Sequence, residues 1–343
     1  MTSRKENLFL PEGYPETVTS NYLRYTGWNI FQTFCSSALG VLSTQQLLLA
    51  LGANSLTASA ALNWVIKDGL GQLGGVVYAG TVGNKFDENP KHYKWMSSLS
   101  LNCSCGLEML STLYPGAFLP IAALGTVGKN VSALAGSASK AAIHLSLSKK
   151  RNLADLTAKS GTQATASCLF GTFFGTFLGY TFDYSGSLVA FGVLSASHLY
   201  ACYKSLDWVV LNTLNPQRLD ILLQEFKEKG RVLTPEEVSE KEATVRNYRP
   251  KDLVVGKLPS NMDIEECMKY WEGKEYLIVE QAQKTFLVFK EEAEQKELVE
   301  GYVEARARSW GLEKISLQQM TNEGWDTSQP FLSPNNTRFK VLN

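Results

Sequence analysis

The 343-residue chain carries 33 Lys and Arg against 33 Asp and Glu, so its formal net charge is zero. Its mean hydropathy, −0.11, is that of an ordinary water-soluble protein. With no basic excess and no basic–aromatic interleaving, nucleic acid is not expected as a partner. The six cysteines include one C-x-C pair and no C-x-x-C pair, which argues against a disulfide framework or a zinc site, and no cofactor is expected.

The averages conceal two regimes. From Trp28 to Tyr203 there are 16 charged residues in 176, and from Lys204 to Asn343 there are 44 in 140. Nineteen of the 27 glycines fall in the first stretch. Residues 1–27 read as an N-terminal arm, with Glu6, Glu12 and Glu16 around Pro11 and Pro15, unlike a signal peptide or an Arg-rich transit sequence. Trp28 to Ile66 then runs 39 residues without a charge, and further charge-free runs cover Ser160–Phe182 and Tyr184–Tyr203. Runs of this length predict helices facing lipid, since a bilayer core takes about 20 apolar residues per helix.

Six spanning segments follow over about residues 28–51, 58–83, 95–114, 117–138, 164–182 and 187–209. The breaks Gly52-Ala53-Asn54, Tyr114-Pro115-Gly116 and Asp183-Tyr184-Ser185-Gly186 hold no Lys or Arg. The alternate connections hold Lys85, Lys91 and Lys94, then Lys140, Lys149, Lys150, Arg151 and Lys159. The arm adds Arg4, Lys5 and Arg24. By the positive-inside rule both termini lie in the cytosol. The predicted fold class is an all-α multi-pass membrane bundle over 28–210, with the lipid bilayer as partner. Its rival is a soluble helical bundle with an unusually apolar core.

Within segment two, Lys67 and Asp68 fall near mid-depth, where a charge ordinarily faces a bundle interior and marks a substrate path. Asn63 and Gln72 offer further polar contacts. Gly69, Gly71 and Gly74 spell G-x-G-x-x-G, but no strand precedes them and a polar loop follows, so a dinucleotide site is disfavoured. Segment five carries Gly171, Gly175 and Gly179 four apart, a face on which another backbone can approach closely, within the bundle or between protomers. His92, His144 and His198 are isolated, with no metal-ligand spacing. Asn102, Asn130 and Asn335 fit the glycosylation pattern, but the first two lie inside predicted spans and the third on the cytosolic side.

Beyond these spans the signals change. Residues 211–259 read as a charged helical linker, with Thr234-Pro235-Glu236-Glu237 as a capping box opening a helix. Residues 260–343 read as a small α+β domain. Tyr276–Val279 and Phe286–Phe289 form a hairpin, and an amphipathic helix from about Glu291 to Trp310 stops at Gly311.

Several stretches together resemble one family. They are Phe9-Leu10-Pro11-Glu12-Gly13-Tyr14-Pro15, Gly40-Val41-Leu42-Ser43-Thr44-Gln45, and Asn63-Trp64 with Lys67-Asp68-Gly69-Leu70-Gly71-Gln72-Leu73-Gly74. Phe86-Asp87 with Pro90-Lys91, Lys159-Ser160 and Leu214-Asn215-Pro216-Gln217-Arg218 continue the match. The chain is identified by these residues as resembling the Root UVB Sensitive (RUS) family. That resemblance implies a part in vitamin B6 homeostasis and ultraviolet-B response, and action in pairs, with a second copy or a paralogue. It brings no catalytic residues, and an enzyme is not expected. Combined with the predicted spans, it gives a transporter-like unit for a small polar metabolite, with a vitamin B6 vitamer as the ligand and Lys67, Asp68, Asn63, Gln72, Thr44 and Gln45 lining its site. The alternative is a non-catalytic membrane scaffold or sensor.

Overall fold

The computed structural model describes residues 8–52, 58–82, 85–150, 152–259, 273–281, 283–312, 315–332 and 338–339. Arg4, Lys5, Glu6, Ala53, Asn54, Gly83, Asn84, Arg151, Cys267 and Asn335 lie outside them. The chain forms two compact units, Met1–Val209 and Val210–Asn343.

The first unit contains the helices α1 (Tyr22–Ala50), α2 (Ala58–Val82), α3 (Pro90–Met109), α4 (Phe118–Leu147), α5 (Leu153–Thr181) and α6 (Tyr184–Asp207). Local chemistry sets several ends. Asn89 caps α3 by accepting from the His92 amide at 3.2 Å, with Pro90 in the first turn. Asp183 caps α6 by accepting from the Gly186 amide at 2.8 Å. The N-terminal arm is strapped to the ends of α4 and α5. Val18 pairs antiparallel with Ser148, Glu12 N–H donates to Asp155 Oδ2 at 2.7 Å, and Gln163 donates to the Phe9 carbonyl at 2.5 Å.

The expected bundle of about six membrane spans is corrected here. Among the described residues, two helices are long and apolar enough to cross a membrane, Pro115–Leu147 and Tyr184–Asp207. Absence of charge is not apolarity. The charge-free runs are filled with Ser, Thr, Asn, Gln and Gly, and the helices bury many of those groups against one another. Asn29, Gln32, Ser43 and Gln46 of α1, Ser97, Ser98 and Asn102 of α3, and Ser132 and Ser139 of α4 are all buried. A buried hydroxyl or amide needs a partner; some of these bond within their own helix, as Ser139 Oγ does to the Ala135 carbonyl, and others bond to neighbouring helices. Ser97 Oγ donates to the Ser132 carbonyl at 2.9 Å and Ser132 Oγ returns to the Ser97 carbonyl at 2.7 Å.

The Gly171/Gly175/Gly179 face of α5 meets α1. A Cβ on Gly171 would stand 2.4 Å from the Phe34 carbonyl oxygen, and one on Gly175 would stand 2.8 Å from that of Ala38. Polar bonds lock the same seam. Ser167 Oγ donates to the Ile30 carbonyl at 2.6 Å and Ser37 Oγ to that of Cys168 at 2.9 Å. On α2, Gly71 and Gly74 serve similarly against Thr126 and Val127 of α4. The G-x-G-x-x-G letters thus lie inside a continuous helix as a packing face. The opposite side of α5 leaves Phe173, Phe177 and Tyr180 exposed, the last at 91%.

The second unit holds α7 (Pro216–Lys229), α8 (Pro235–Lys241), β1 (Leu253–Val255), β2 (Tyr276–Gln281), β3 (Lys284–Phe289), α9 (Gln295–Trp310) and α10 (Leu317–Asn322). Strand order is β1-β3-β2, with β3 antiparallel to β2 and parallel to β1. The stretch 211–259, expected as a linker, instead supplies Leu219, Leu222, Leu223 and Val238 to the same core as Leu287, Phe289 and Tyr302. The sequence of α7 is amphipathic, and its apolar positions needed that partner. Asn215 caps α7 by accepting from the Arg218 amide, and Thr234 with Glu237 completes the capping box of α8. Gly311, at φ +65°, ends α9 in the left-handed region.

Charge in this unit is buried in pairs. Arg306, 0% exposed, donates to Asp220 Oδ1 at 2.7 Å and to Asp252 Oδ1 at 2.8 Å. Tyr302 and Tyr248 hydroxyls bond the same Asp220 carboxylate at 3.0 and 2.5 Å. Burial pushes the Asp220 carboxyl up, and Arg306 and the two tyrosines pull it back down. Arg218 meets Glu242 at 2.8 Å, both buried.

The α1–α5 seam yields a mutational test. Gly171→Ala places a methyl group against the Phe34 backbone, and overpacking of this kind costs about 1–3 kcal/mol. Chemical unfolding should show that loss, while Gly161→Ala, a helical glycine of α5 with open space around it, should be neutral or slightly stabilising.

Candidate functional site

Residues expected to line one site are distributed over two places. On α2, Lys67 is 5% exposed, whereas the Asp68 side chain is half exposed. Lys67 Nζ lies 2.5 Å from Asp68 Oδ1, 3.5 Å from Thr126 Oγ1 and 4.2 Å from the centre of the Trp64 ring. A flexible lysine stem therefore closes an ion pair between adjacent residues whose side chains leave the helix about 100° apart. Asn63 is half-buried on the same helix and Gln72 is exposed.

Thr44 and Gln45, on α1, line a different space. With Ser37, Gly40, Lys129 and Thr176 they border an open cleft of about 840 Å³ between α1, α4 and α5. Gln45 Nε2 donates to the Gly179 carbonyl at 2.8 Å, so the last glycine of the seam forms one wall. Lys129 pairs closely with Glu108 and donates to Ser43 Oγ at 3.1 Å. Glu108 is 1% exposed, and Gly125 makes room for it, since a Cβ there would stand 2.7 Å from Glu108 Cγ. This pair was not singled out from sequence. The signal was present: Glu108 and Lys129 are charges inside predicted apolar segments, as Lys67 and Asp68 are.

A second polar place lies between α1, α3, α4 and α6. His198 Nδ1 stands 2.6 Å from Asn102 Nδ2, and Ser195 Oγ donates to Asn102 Oδ1 at 2.6 Å. Both ring nitrogens thus face side-chain amide nitrogens, since Nε2 stands 3.4 Å from Gln32 Nε2. Ser98 Oγ lies 2.9 Å from Gln32 and donates to Cys202 Sγ at 3.1 Å. Around these groups is a pocket of about 220 Å³ that also reaches Lys94, Ser137 and Lys140. Burial, reinforced by Lys94, lowers His198 to about 3. Burial, with Lys140 and Lys94, lowers His144 to about 4. No group of three or more His, Cys, Asp or Glu suited to a metal ion occurs among the described residues.

A helical unit knit by polar seams, followed by a small α+β unit, is the class of protein this architecture defines. The chain belongs to the Root UVB Sensitive family. Residues 1–230 match the family described as the vitamin B6 photo-protection and homoeostasis domain. Protein root UVB sensitive 2, chloroplastic, of Arabidopsis thaliana is 31% identical over 95% of this chain and 79% of its own length. RUS family member 1 of Dictyostelium discoideum is 31% identical over 73% of this chain and 49% of its own. Protein root UVB sensitive 3 of Arabidopsis thaliana is 34% identical over 69% and 55%. The alignment thus spans only about half the length of the latter two. No solved structure matches the chain. The family is linked to ultraviolet-B response and vitamin B6 homeostasis.

The lowered histidines fix a pH dependence. An unfolded histidine takes up its proton near pH 6.5, while folded His198 and His144 stay neutral until about 3 and 4. The unfolded chain therefore binds more protons as pH falls from 6.5 to 4, and stability drops over that window. Unfolding titrations should lose about 2–4 kcal/mol between pH 7 and pH 5. His198→Gln should roughly halve that slope, and an unchanged slope would show that neither burial nor Lys94 acts on His198 as described.

Proposed function

We propose that the helical unit binds a vitamin B6 vitamer in the cleft bordered by Thr44, Gln45, Lys129 and Thr176, and acts by binding rather than by catalysis. One observation carries this reading: the family is described by vitamin B6, and the Gly40–Gln45 stretch that resembles it forms a wall of the 840 Å³ cleft. The size is suited to the purpose, because small-molecule sites run from roughly 300 to 1,000 Å³. Thr44, Gln45 and Thr176 offer neutral donors and acceptors for ring hydroxyls. Lys129, held in place by Glu108, is a charged donor at the rim. The idea of a transporter-like unit rested on six spans and is replaced by metabolite binding.

Titration calorimetry of the full chain with pyridoxal, pyridoxine and pyridoxamine tests the site. Binding is expected for at least one vitamer, and Thr44→Trp, which fills the cleft, should weaken it at least tenfold with an unchanged melting temperature. Equal affinity in that variant removes the cleft from the proposal, and the absence of binding by all three removes the ligand.

A second reading, assembly with another RUS-family chain, is favoured by the aromatic stripe Phe173, Phe177 and Tyr180 that α5 leaves uncovered. Stripes of this kind mark interaction surfaces. Sedimentation should show self-association or binding to a co-expressed paralogue, lost in Phe173→Asp with Phe177→Asp. A monomeric wild-type chain that ignores the paralogue would remove this reading.

A further inference from the structure

Two lysines share a pocket with no acid in it. Lys94 of α3 and Lys140 of α4 both line the 220 Å³ space between α1, α3, α4 and α6. Neither side-chain ammonium makes an ion pair or hydrogen bond among the described residues. The other groups bordering the pocket are neutral: Gln32, Thr33 and Ser36 from α1, serines from α3 and α4, and His198 from α6. Among the described residues no Asp or Glu borders it. Two half-buried ammonium groups lining one pocket repel, and no carboxylate among its described lining residues offsets that repulsion. Burial and Lys94 indeed make the Lys140 ammonium harder to keep protonated than usual.

The walls carry a second sign of an absent occupant. Gln32 is 4% exposed, and one of its two terminal amide atoms finds no protein partner. Its amide nitrogen donates to Ser98 Oγ at 2.9 Å, so the unpartnered atom is the carbonyl oxygen, which can accept from a protonated phosphate oxygen. Gly136 keeps the floor open, because a Cβ there would stand 2.8 Å from Ser97 Oγ. Two cations and the Ser137 hydroxyl lining one pocket form a donor set suited to a small tetrahedral oxyanion.

We propose that the Lys94–Lys140 pocket is an anion site for phosphate, either as the free ion or as the head of a phosphomonoester. It is distinct from the cleft of Thr44 and Gln45 and does not depend on the vitamin B6 reading. The volume accommodates a phosphate group but is small for the whole of a larger organic ligand, whose remainder would extend through the open mouth.

The test is equilibrium dialysis of the purified full chain against radiolabelled orthophosphate at low ionic strength, with parallel melting curves. Wild-type protein should bind saturably, and phosphate should raise its melting temperature. The Lys94→Gln, Lys140→Gln double variant should lose at least tenfold in affinity and lose the phosphate-induced rise. Its melting temperature without phosphate should be equal to or above that of wild type, because the repulsion is gone. Lys94→Arg, Lys140→Arg should retain binding. Competition by phenyl phosphate assigns a soluble monoester as an occupant, and competition by phosphatidic acid vesicles but not phosphatidylcholine vesicles assigns a lipid headgroup; both support the site. No saturable binding by wild type, or undiminished binding by the folded double Gln variant, overturns it.

Discussion

Close approach of helix backbones, bought by glycine and secured by hydroxyl and amide hydrogen bonds, is the constraint from which the first unit follows. Where α5 meets α1 there is no room for a Cβ at Gly171 or Gly175, so the two helices touch along their main chains. At that distance a serine reaches a carbonyl on the neighbouring helix directly, as Ser167 reaches Ile30 and Ser37 reaches Cys168. α1 also packs against α3 and α6, so its position fixes the walls of both the Gln45 cleft and the Gln32 pocket. Such an interior gains less from hydrophobic burial than a leucine core and more from matched donors and acceptors.

The two units treat charge in opposite ways. In the second, Arg306, Asp220 and two tyrosines share a buried network in which each charge has a partner on another element. In the first, one carboxylate, Glu108, is fully enclosed and answered by Lys129, while Lys94 and Lys140 share a pocket with no acid. Buried charge costs least when geometry and counter-charge are both supplied. The second unit therefore reads as a self-sufficient scaffold, and the first as one whose polar interior is completed by something it binds.

Helix positions, the hairpin, the capping box at Thr234 and the family were legible because each rests on local chemistry. Thr234 and Glu237 cap one another within four residues, and Tyr276–Val279 pairs with Phe286–Phe289 across a short turn. What surrounds a helix is not local information. The 39 charge-free residues from Trp28 looked lipid-facing because charge was used as the measure of polarity, whereas Asn29, Gln32, Ser43 and Gln46 are polar groups buried against neighbouring helices. The candidate site divided for a related reason. Thr44 and Gln45 sit on α1, Lys67 and Asp68 on α2, and only the packing of α2 on α4 and of α5 on α1 decides which polar groups converge. The role of residues 211–259 was hidden likewise, since the apolar face of α7 shows that it needs a partner but not which one.

The strap at the start of the chain bears on the order of assembly. Glu12 and Phe9 find their partners 143 and 154 positions away, on α5, and Val18 finds Ser148 at the end of α4. Contacts of such sequence separation form late, because the intervening chain must be ordered before they are rewarded. The docking surface of the arm includes α5, so it exists only once five helices are in place. The arm is thus among the last parts of this unit to be seated, and it acts as a latch on a bundle that must already be in place.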